Sequence, residues 1–332
     1  MSNTKILNLN YKNLKDRLPF VSKKAVWKWI FGLLFLVLLY VQIHHVFANS
    51  NASLYASIDI QWTLFGGFLF ILTAALIPIN WCFETLKWTM YMDQKKSFAK
   101  HFKAVMAGVT FSMFTPNRIG EFGGRLVILN TKERIHGLTS NLIGSLAQWI
   151  TLFTCGWIML IPYLTFHHLI SDQLFYWIIL IGTIGSTLLL FLYFNIDRCI
   201  HFIENTKWGQ KIAGTSYWSY KDQTIKSLLG GLGLSFLRYI TYGLQYLLLL
   251  HFCGIQLDPE ILTYSIAVIF LIQTGIPIPP SLGLLARGNV AIFILCLQND
   301  ALPQSVLLAT GLLWLMNVAI PALAGALVIL RK

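Results

Sequence analysis

An apolar region of the chain is interrupted by the sequence Thr115-Pro116-Asn117-Arg118-Ile119-Gly120-Glu121-Phe122-Gly123-Gly124-Arg125. This segment holds a helix-breaking proline, three glycines and three charged side chains. Within a membrane, irregular backbone is tolerated only where protein or a water-filled cavity satisfies its polar groups, and ionisable side chains are costly there. If the surrounding chain spans a membrane, this segment is therefore a candidate binding site.

The composition is that of a polytopic membrane protein. Hydrophobic residues make up 56% of the chain and charged residues only 11%. Long apolar runs in such a composition span a bilayer rather than form the core of a soluble protein. The formal net charge of +12 would suggest a nucleic-acid-binding protein if the chain were soluble. The positions of the basic residues therefore decide what this charge means.

Six apolar runs are long enough to cross a membrane, since about 20 residues are needed. Their approximate bounds are Ala25 to Phe47, Ile60 to Phe83, Leu138 to Phe166, Leu174 to Phe194, Ser227 to Cys253 and Leu302 to Leu330. Loops rich in Lys and Arg alternate with loops that have none and carry Asp59, Asp172, Asp258, Glu260 and Asp300. The positive-inside rule then predicts that both termini are cytoplasmic, and it explains most of the charge without a nucleic-acid partner.

Two interrupted segments between these runs are predicted to be re-entrant helical hairpins. The arms of the first, Phe102 to Phe114 and Ile119 to Asn130, have about a dozen residues each, too few to cross a core about 30 Å thick. The second, about Ile261 to Gln298, breaks at Ile276-Pro277-Ile278-Pro279-Pro280-Ser281-Leu282-Gly283. The first hairpin enters from the inside and the second from the outside. Because the second has longer arms, two full spans remain an alternative for it.

The order of these elements predicts an inverted repeat. Each half contains two spans, one hairpin and a further span, and the two halves have opposite orientations, as in several transporter families. We expect one transmembrane domain, an all-α polytopic protein with about six full spans plus two opposed re-entrant hairpins. Its parts are a basic cytoplasmic segment (1–24), a first half (25–166), a second half (174–330) and a cytoplasmic interfacial linker (195–226). Ile196, Ile200 and Ile203 lie on one face of this linker, which suggests membrane contact.

Cationic side chains near broken helices predict a site for an anionic headgroup. A half-helix directs unpaired N–H groups and a positive dipole end into the protein, and an arginine adds a planar fork that suits phosphate. The candidate substrate-binding residues are Arg118, Glu121, Arg125, Arg238 and Arg287. The residues expected to form the two breaks are Pro116, Gly120, Gly124, Pro279 and Gly283. Glu121 is expected to be the only carboxylate within the membrane, where it could position an arginine, contact a cationic group or carry a proton.

Each of these assignments has a structural alternative. The segment from Pro116 to Arg125 could be a cytoplasmic loop with its charges in water. Arg238 could snorkel along its helix, and Gly120 and Gly124 could serve close helix packing instead of ligand contact. The histidines and cysteines show no metal-ligand spacing, so no metal is expected. No other cofactor is expected either.

The motif Pro116-Asn117-Arg118-Ile119-Gly120-Glu121, followed by Arg125, resembles the signature of the lysylphosphatidylglycerol synthase transmembrane (flippase-like) family. The resemblance covers nearly the whole chain and implies a membrane domain that moves or binds lipids. It implies that Pro116, Arg118, Gly120, Glu121, Arg125, Pro279, Gly283 and Arg287 are functional positions. The second break departs from the family, in which a Gly-rich break followed by an acidic residue is common; no acid lies in Ser281 to Arg287. We expect an integral protein of a bacterial inner (plasma) membrane.

Two functions are consistent with these features. The first is a lipid translocase or lipid-binding protein for a phosphate-bearing lipid, whether anionic, polyprenyl-linked or aminoacylated. The second is a membrane accessory subunit that docks, or supplies lipid to, a separate glycosyl- or aminoacyl-transferase partner. An intramembrane enzyme is not expected, because no second carboxylate, nucleophile pair or metal set lies near Glu121 in the sequence.

Overall fold

The computed structural model describes residues 60–92, 97–130, 133–167, 170–206, 222–276, 279–281, 283–296 and 303–331. Within these ranges the chain is helical and contains no strand. The predicted all-α class is therefore confirmed. The basic segment 1–24 and the predicted span from Ala25 to Phe47 lie outside the described residues.

The described residues form a series of α-helices, numbered here in chain order. They are Leu64–Tyr91 (α1), Phe98–Ser112 (α2), Gly120–Ile128 (α3), Arg134–Phe166 (α4), Asp172–Phe194 (α5), Ile196–Glu204 (α6), Ile225–Phe252 (α7), Pro259–Thr274 (α8), Gly283–Cys296 (α9), Pro303–Trp314 (α10) and Ile320–Leu330 (α11). A 3₁₀ turn at Pro116–Arg118 lies between α2 and α3. A π-helical turn at Leu315–Ala319 joins α10 and α11 into one continuous helix.

Among the described residues, four helices are long and apolar enough to cross a membrane: α1, α4, α5 and the continuous helix Pro303–Leu330. They coincide with four of the predicted spans. Helix α7 has 28 residues and coincides with a fifth, although it is not among these four. Helix α1 continues beyond Phe83, the approximate end predicted for the second span, and ends at Tyr91. Its last turns carry Glu84 and Lys87, whose charges have partners inside the protein.

Local sequence signals account for several helix ends. The hydroxyl of Thr63 accepts a hydrogen bond from Gly66 N at the start of α1, and Thr224 does the same for Ser227 N at the start of α7. Helix α8 begins with Pro259 at its first position, after Asp258, whose carboxylate accepts from Glu260 N. Helix α7 ends close to Gly254, whose φ of 81° favours a residue without a side chain.

Both interrupted segments form pairs of short helices. Helices α2 and α3 pack against each other in the first hairpin (residues 98–128), and α8 packs against α9 in the second hairpin (residues 259–296). Helices α8 and α9 have 16 and 14 residues, fewer than the about 20 that a full span requires. These lengths favour a hairpin over two full spans for the second segment. The depth of both hairpins in the membrane remains a prediction.

The two halves contact each other in a reciprocal way. The first arm of the first hairpin, α2, packs against α11 at the end of the second half, whereas the first arm of the second hairpin, α8, packs against α4 at the end of the first half. Helices α1 and α7, which precede the hairpins, pack against each other. The breaks also meet, because Ser281 N donates to Met113 O over 3.2 Å. Two halves related by a two-fold axis would give such contacts, and the inverted repeat remains a prediction.

The linker contains the short helix that its isoleucine spacing suggested, α6. Ile196 and Ile200 are buried in a cluster with Tyr193 and Leu228. This face of α6 therefore packs against the protein, and these two residues do not contact the membrane as expected. Phe202, by contrast, is largely exposed.

Candidate functional site

The first break is held by the residues around its proline. Thr115 has an extended backbone (φ −123°, ψ 137°), as expected for the residue before Pro116. Its hydroxyl accepts a hydrogen bond from Gly120 N at 2.7 Å and so caps the start of α3. The three residues Pro116–Arg118 form the 3₁₀ turn between the two arms. The break is thus an ordered turn with its own capping contact.

Arg118 has the only non-glycine backbone with positive φ among the described residues, at 60°. This left-handed conformation costs a residue with a Cβ about 1–2 kcal/mol. Strain of this kind persists only where surrounding contacts maintain it, and it is common at binding sites. A strained arginine at the tip of the first hairpin, where a glycine would cost nothing, is therefore a candidate functional residue.

Two glycines of the motif allow α2 and α3 to approach closely. A Cβ at Gly124 would lie 2.7 Å from Ala107 O and 2.7 Å from the Cα of Gly108. A Cβ at Gly120 would lie 2.3 Å from Phe111 O. The backbone of α2 would have to move to accept a side chain at either position. Gly120 and Gly124 therefore serve close helix packing, which the sequence left open as an alternative to ligand contact. A Cβ at Gly123, in contrast, would meet nothing within 4 Å.

These neighbouring glycines provide a matched pair of substitutions. We expect Gly124→Ala to destabilise the hairpin by about 1 kcal/mol or more, because the new methyl group meets backbone atoms of α2. Gly123→Ala should be neutral or stabilise the helix by about 0.5–1 kcal/mol, because alanine has the better helix propensity. Thermal unfolding of both variants in detergent micelles measures the difference. Equal stability of the two variants would contradict the packing role of Gly124.

A buried carboxylate, Glu84, lies at the centre of an ion network. It is 5% exposed and contacts three cations from three helices. Lys87 Nζ lies 2.9 Å from its Oε2, and Arg125 Nη2 donates to its Oε1 at 2.6 Å. Arg238 Nη1 donates to Oε2. Glu84 therefore links α1 to α3 of the first hairpin and to α7.

Neutral amides extend this network on the side of α7. Arg238 Nε donates to Asn80 Oδ1 at 2.9 Å, and Asn80 Nδ2 donates to Asn317 Oδ1 at 3.2 Å. Gln148 Oε1 accepts from both Lys87 Nζ (3.2 Å) and Arg238 Nη1 (3.3 Å). The guanidinium of Arg238 also lies over the ring of Trp81, 5.3 Å from its centroid. Arg238 is therefore fixed in a partly buried position rather than snorkelling along its helix.

The first hairpin carries the other part of the network. Arg125 is 1% exposed, donates to Glu121 and Glu84, and lies over the ring of Trp88. The other oxygen of Glu121 lies 3.4 Å from Arg118 Nε. The charges of Glu121 and Arg125 are therefore largely shielded from solvent, whereas the side chain of Arg118 is 40% exposed. Arg125 and Glu121 position neighbouring side chains, and neither lines the cavity described next.

A cavity of about 240 Å³ lies where the two breaks meet. Its wall includes Arg118 from the first break and Ile276 and Pro280 from the second. Arg287 from α9 and Arg238 from α7 also line it. Five aromatic side chains complete it: Trp81, Trp149, Tyr239, Tyr242 and Phe270. The described lining residues include no carboxylate. Trp149 is 51% exposed, so the wall reaches the outer surface of the helices.

The second hairpin supplies an arginine to the same cavity. Arg287 lines the cavity together with Arg118. It has no ion-pair partner in the part of the chain that the structure describes. The carbonyl of Arg287 accepts from Gln273 Nε2 at 3.3 Å, which ties α9 to α8. Trp314 Nε1 donates to Pro280 O at 2.9 Å and holds the second break.

The π-helical turn brings the last helix into the same site. Asn317 and Val318, both in this turn, line the cavity. A π turn inserts an extra residue into a helix and is frequent at functional sites. No sequence signal predicted it.

The structure thus brings together three of the five candidate substrate-binding residues, Arg118, Arg238 and Arg287, in one cavity. Pro279 and Gly283 are close in sequence to residues of its wall but do not line it. The carboxylate predicted to be the only one within the membrane, that of Glu121, is not alone beside Arg125, because Glu84 contacts the same arginine and is more deeply buried in the protein.

Sequence reasoning missed Glu84 because the predicted second span ends one residue before it. A signal is present, however. Asn80, Glu84 and Lys87 are spaced four and three residues apart, which puts all three polar side chains on one face of a helix. A polar face that interrupts an apolar helix indicates an internal network.

The chain matches the model of a known protein family. The family model for the lysylphosphatidylglycerol synthase TM region matches residues 26–325. The chain belongs to this family. The resemblance seen in the Pro116 to Arg125 motif is thereby confirmed over most of the chain. No curated protein and no solved structure matches the chain.

Membership of the lysylphosphatidylglycerol synthase TM family and the four apolar helices identify a membrane protein from a family concerned with lipids.

Proposed function

We propose that this protein binds a phosphate-bearing lipid by its headgroup and moves it across the membrane. The observation that carries the proposal is the cavity between the two breaks, lined by three arginines and five aromatic side chains. Arginine presents a planar set of donors that matches phosphate, and it remains charged at any physiological pH. Anionic, polyprenyl-linked and aminoacylated lipids are the candidate classes of ligand, since all of them carry a phosphate.

The dimensions of the cavity support binding of the headgroup rather than the whole lipid. A volume of about 240 Å³ lies below the range of about 300–1,000 Å³ typical of pockets that enclose a drug-sized ligand. The apolar chains would therefore remain outside. These chains would contact the exposed Trp149 and the apolar outer faces of α4 and α7. Leu142, Ile158 and Leu244 are exposed on these faces.

The Glu84 network would connect headgroup binding to both halves of the molecule. Arg238 contacts the cavity on one side and Glu84 on the other, and Glu84 in turn contacts Arg125 in the first hairpin. A phosphate that attracts Arg238 or Arg118 would compete with Glu84 and Glu121 for these cations. Binding would thus weaken contacts that hold the hairpin, which is a requirement for movement of the two halves.

We further propose that the protein lies in a bacterial inner (plasma) membrane with both termini in the cytoplasm and acts without catalysis. The alternation of basic and acidic loops along the sequence supports this orientation. In this orientation the first hairpin enters from the cytoplasmic side and the second from the opposite side.

A translocation assay tests the proposal. The purified full chain is reconstituted into liposomes with a fluorescent anionic phospholipid, and the label accessible to an external quencher is followed over time. We expect transport by the wild type and loss of most of it in Arg118→Gly and in Arg287→Gln. Glycine suits the left-handed backbone at position 118, so the first variant loses the charge without added strain. Arg134→Gln, on an exposed arginine outside the cavity, is the matched control and should transport normally.

Other results would overturn the proposal in different ways. Transport that persists in both cavity variants would show that the arginines do not hold the headgroup. A folded wild type that binds lipid but transports none would favour the accessory-subunit function, for which co-purification of a transferase would be the decisive observation. Empty liposomes measure spontaneous movement.

A further inference from the structure

We infer that the cavity selects headgroups with two or more negative charges, such as a phosphate monoester or a diphosphate, and excludes aminoacylated headgroups. This inference rests on the proposed function and narrows its substrate class. Its basis is the balance of charge around the cavity.

The ion network and the cavity together carry a surplus of positive charge. The connected or neighbouring cations are Lys87, Arg118, Arg125, Arg238 and Arg287. Only two carboxylates, Glu84 and Glu121, face them within the described residues. Five cations and two carboxylates leave a formal surplus of three positive charges. A phosphodiester headgroup with a single charge would leave two of these uncompensated.

The uncompensated charge is concentrated in the cavity. Lys87 and Arg125 contact Glu84 and lie outside the cavity, whereas all three lining arginines face it. Of these, Arg118 and Arg238 each share a carboxylate with another cation, and Arg287 has none in the described part of the chain. An unpaired cation in a largely apolar setting is unfavourable. A ligand that brings several negative charges to Arg287 and its neighbours removes that cost.

The same features oppose a cationic headgroup. An aminoacyl group carries ammonium groups, which need a carboxylate or several carbonyl oxygens when they leave water. The described lining offers three arginines and no carboxylate, so an ammonium group there would be repelled. The small volume adds a steric limit, since an aminoacyl-glycerol headgroup is larger than a bare phosphate. Charge and size therefore favour a compact polyanion.

Competition with lipids of matched acyl chains tests the inference. A fluorescent anionic phospholipid is bound to the purified full chain in detergent micelles and displaced with dioleoyl phosphatidic acid, dioleoyl phosphatidylglycerol, lysyl-phosphatidylglycerol or inorganic phosphate. The assay is run at about pH 8, above the second pKa of a phosphate monoester, which is about 6. We expect phosphatidic acid to displace the probe roughly tenfold better than phosphatidylglycerol, as one additional charge-assisted contact implies. Lysyl-phosphatidylglycerol should be the weakest lipid.

Variants identify the side chain that sets the preference. Arg287→Gln should reduce the preference for phosphatidic acid to about threefold or less, because it removes a cation that has no carboxylate partner among the described residues. Arg134→Gln should keep the full preference. Gel filtration of each variant confirms that it is folded.

The outcomes separate this inference from the proposed function. Phosphatidic acid and phosphatidylglycerol could displace the probe equally well, and Arg287→Gln could weaken both to the same extent. That result would overturn the charge selectivity and leave the lipid site intact. The best displacement by lysyl-phosphatidylglycerol would overturn the exclusion of aminoacylated lipids. Displacement by inorganic phosphate as effective as that by phosphatidic acid would show a site for free anions. Failure of the probe to bind, or binding unaffected by both Arg118→Gly and Arg287→Gln, would overturn the proposed function itself.

Discussion

Replacing Glu84 with glutamine should destabilise the protein by about 3–5 kcal/mol, the range observed when one partner of a buried ion pair is removed. Glu84 is 5% exposed and contacts Lys87, Arg125 and Arg238, so the substitution leaves three cations without this counter-ion. Glutamine has nearly the same shape, which excludes a cavity as the cause. Thermal or denaturant unfolding in detergent micelles measures the loss.

A second substitution separates charge from packing. Lys87→Met removes the cation that lies on the same helix as Glu84. The double variant Glu84→Gln/Lys87→Met should lose less free energy of unfolding than the two single variants together, because it no longer buries the unpaired charge of Lys87. Glu260→Gln is the matched control. Glu260 is exposed in the first turn of α8, and its loss should cost no more than about 1 kcal/mol. If Glu84→Gln were as stable as this control, the network would contribute little to the fold.

The sequence predicted the ends of two apolar helices, α4 and α5, well. The predicted ends at Phe166 and Phe194 coincide with the ends of α4 and α5, since His167 and Asn195 come next. The same reasoning fails for α1. Hydropathy places Glu84 just outside the membrane, yet its charge is neutralised by partners from α3 and α7 that lie far away in sequence. Pairing between distant helices is invisible to a local hydropathy pattern.

The sequence predicted which arginines belong to the candidate site, but not which of them line the cavity and which contact a carboxylate. The types and approximate places of Arg118, Arg238 and Arg287 follow from the cost of charges in an apolar chain. Whether an arginine faces a cavity or a carboxylate depends on helix rotation and on the packing of glycines such as Gly124. Arg125 is the clearest case. Its position in the motif suggested ligand contact, whereas it is enclosed between Glu84, Glu121 and the ring of Trp88.

The contact between α2 and α11 should be the most sensitive packing interface of the first hairpin. A Cβ at Gly325 would lie 2.0 Å from Met106 O and 2.4 Å from Thr110 Oγ1. The two helices are also joined by a hydrogen bond of 2.7 Å from Thr110 Oγ1 to Ala322 O. Gly325→Ala must therefore push α2 away from α11, and we expect a loss of about 3 kcal/mol, the upper part of the usual range for overpacking. Thermal unfolding in micelles measures it.

Gly311 provides the control, because it lies in the same continuous helix and a Cβ there would meet nothing within 4 Å. Gly311→Ala should be neutral or stabilise the helix by about 0.5–1 kcal/mol. Displacement of α2 also has a functional consequence. Met113, which directly follows this helix, carries the carbonyl that accepts the hydrogen bond from Ser281 N and joins the two breaks. A folded Gly325→Ala protein should therefore lose lipid translocation although its cavity arginines are intact. Normal transport in that variant would show that the contact between the breaks is dispensable.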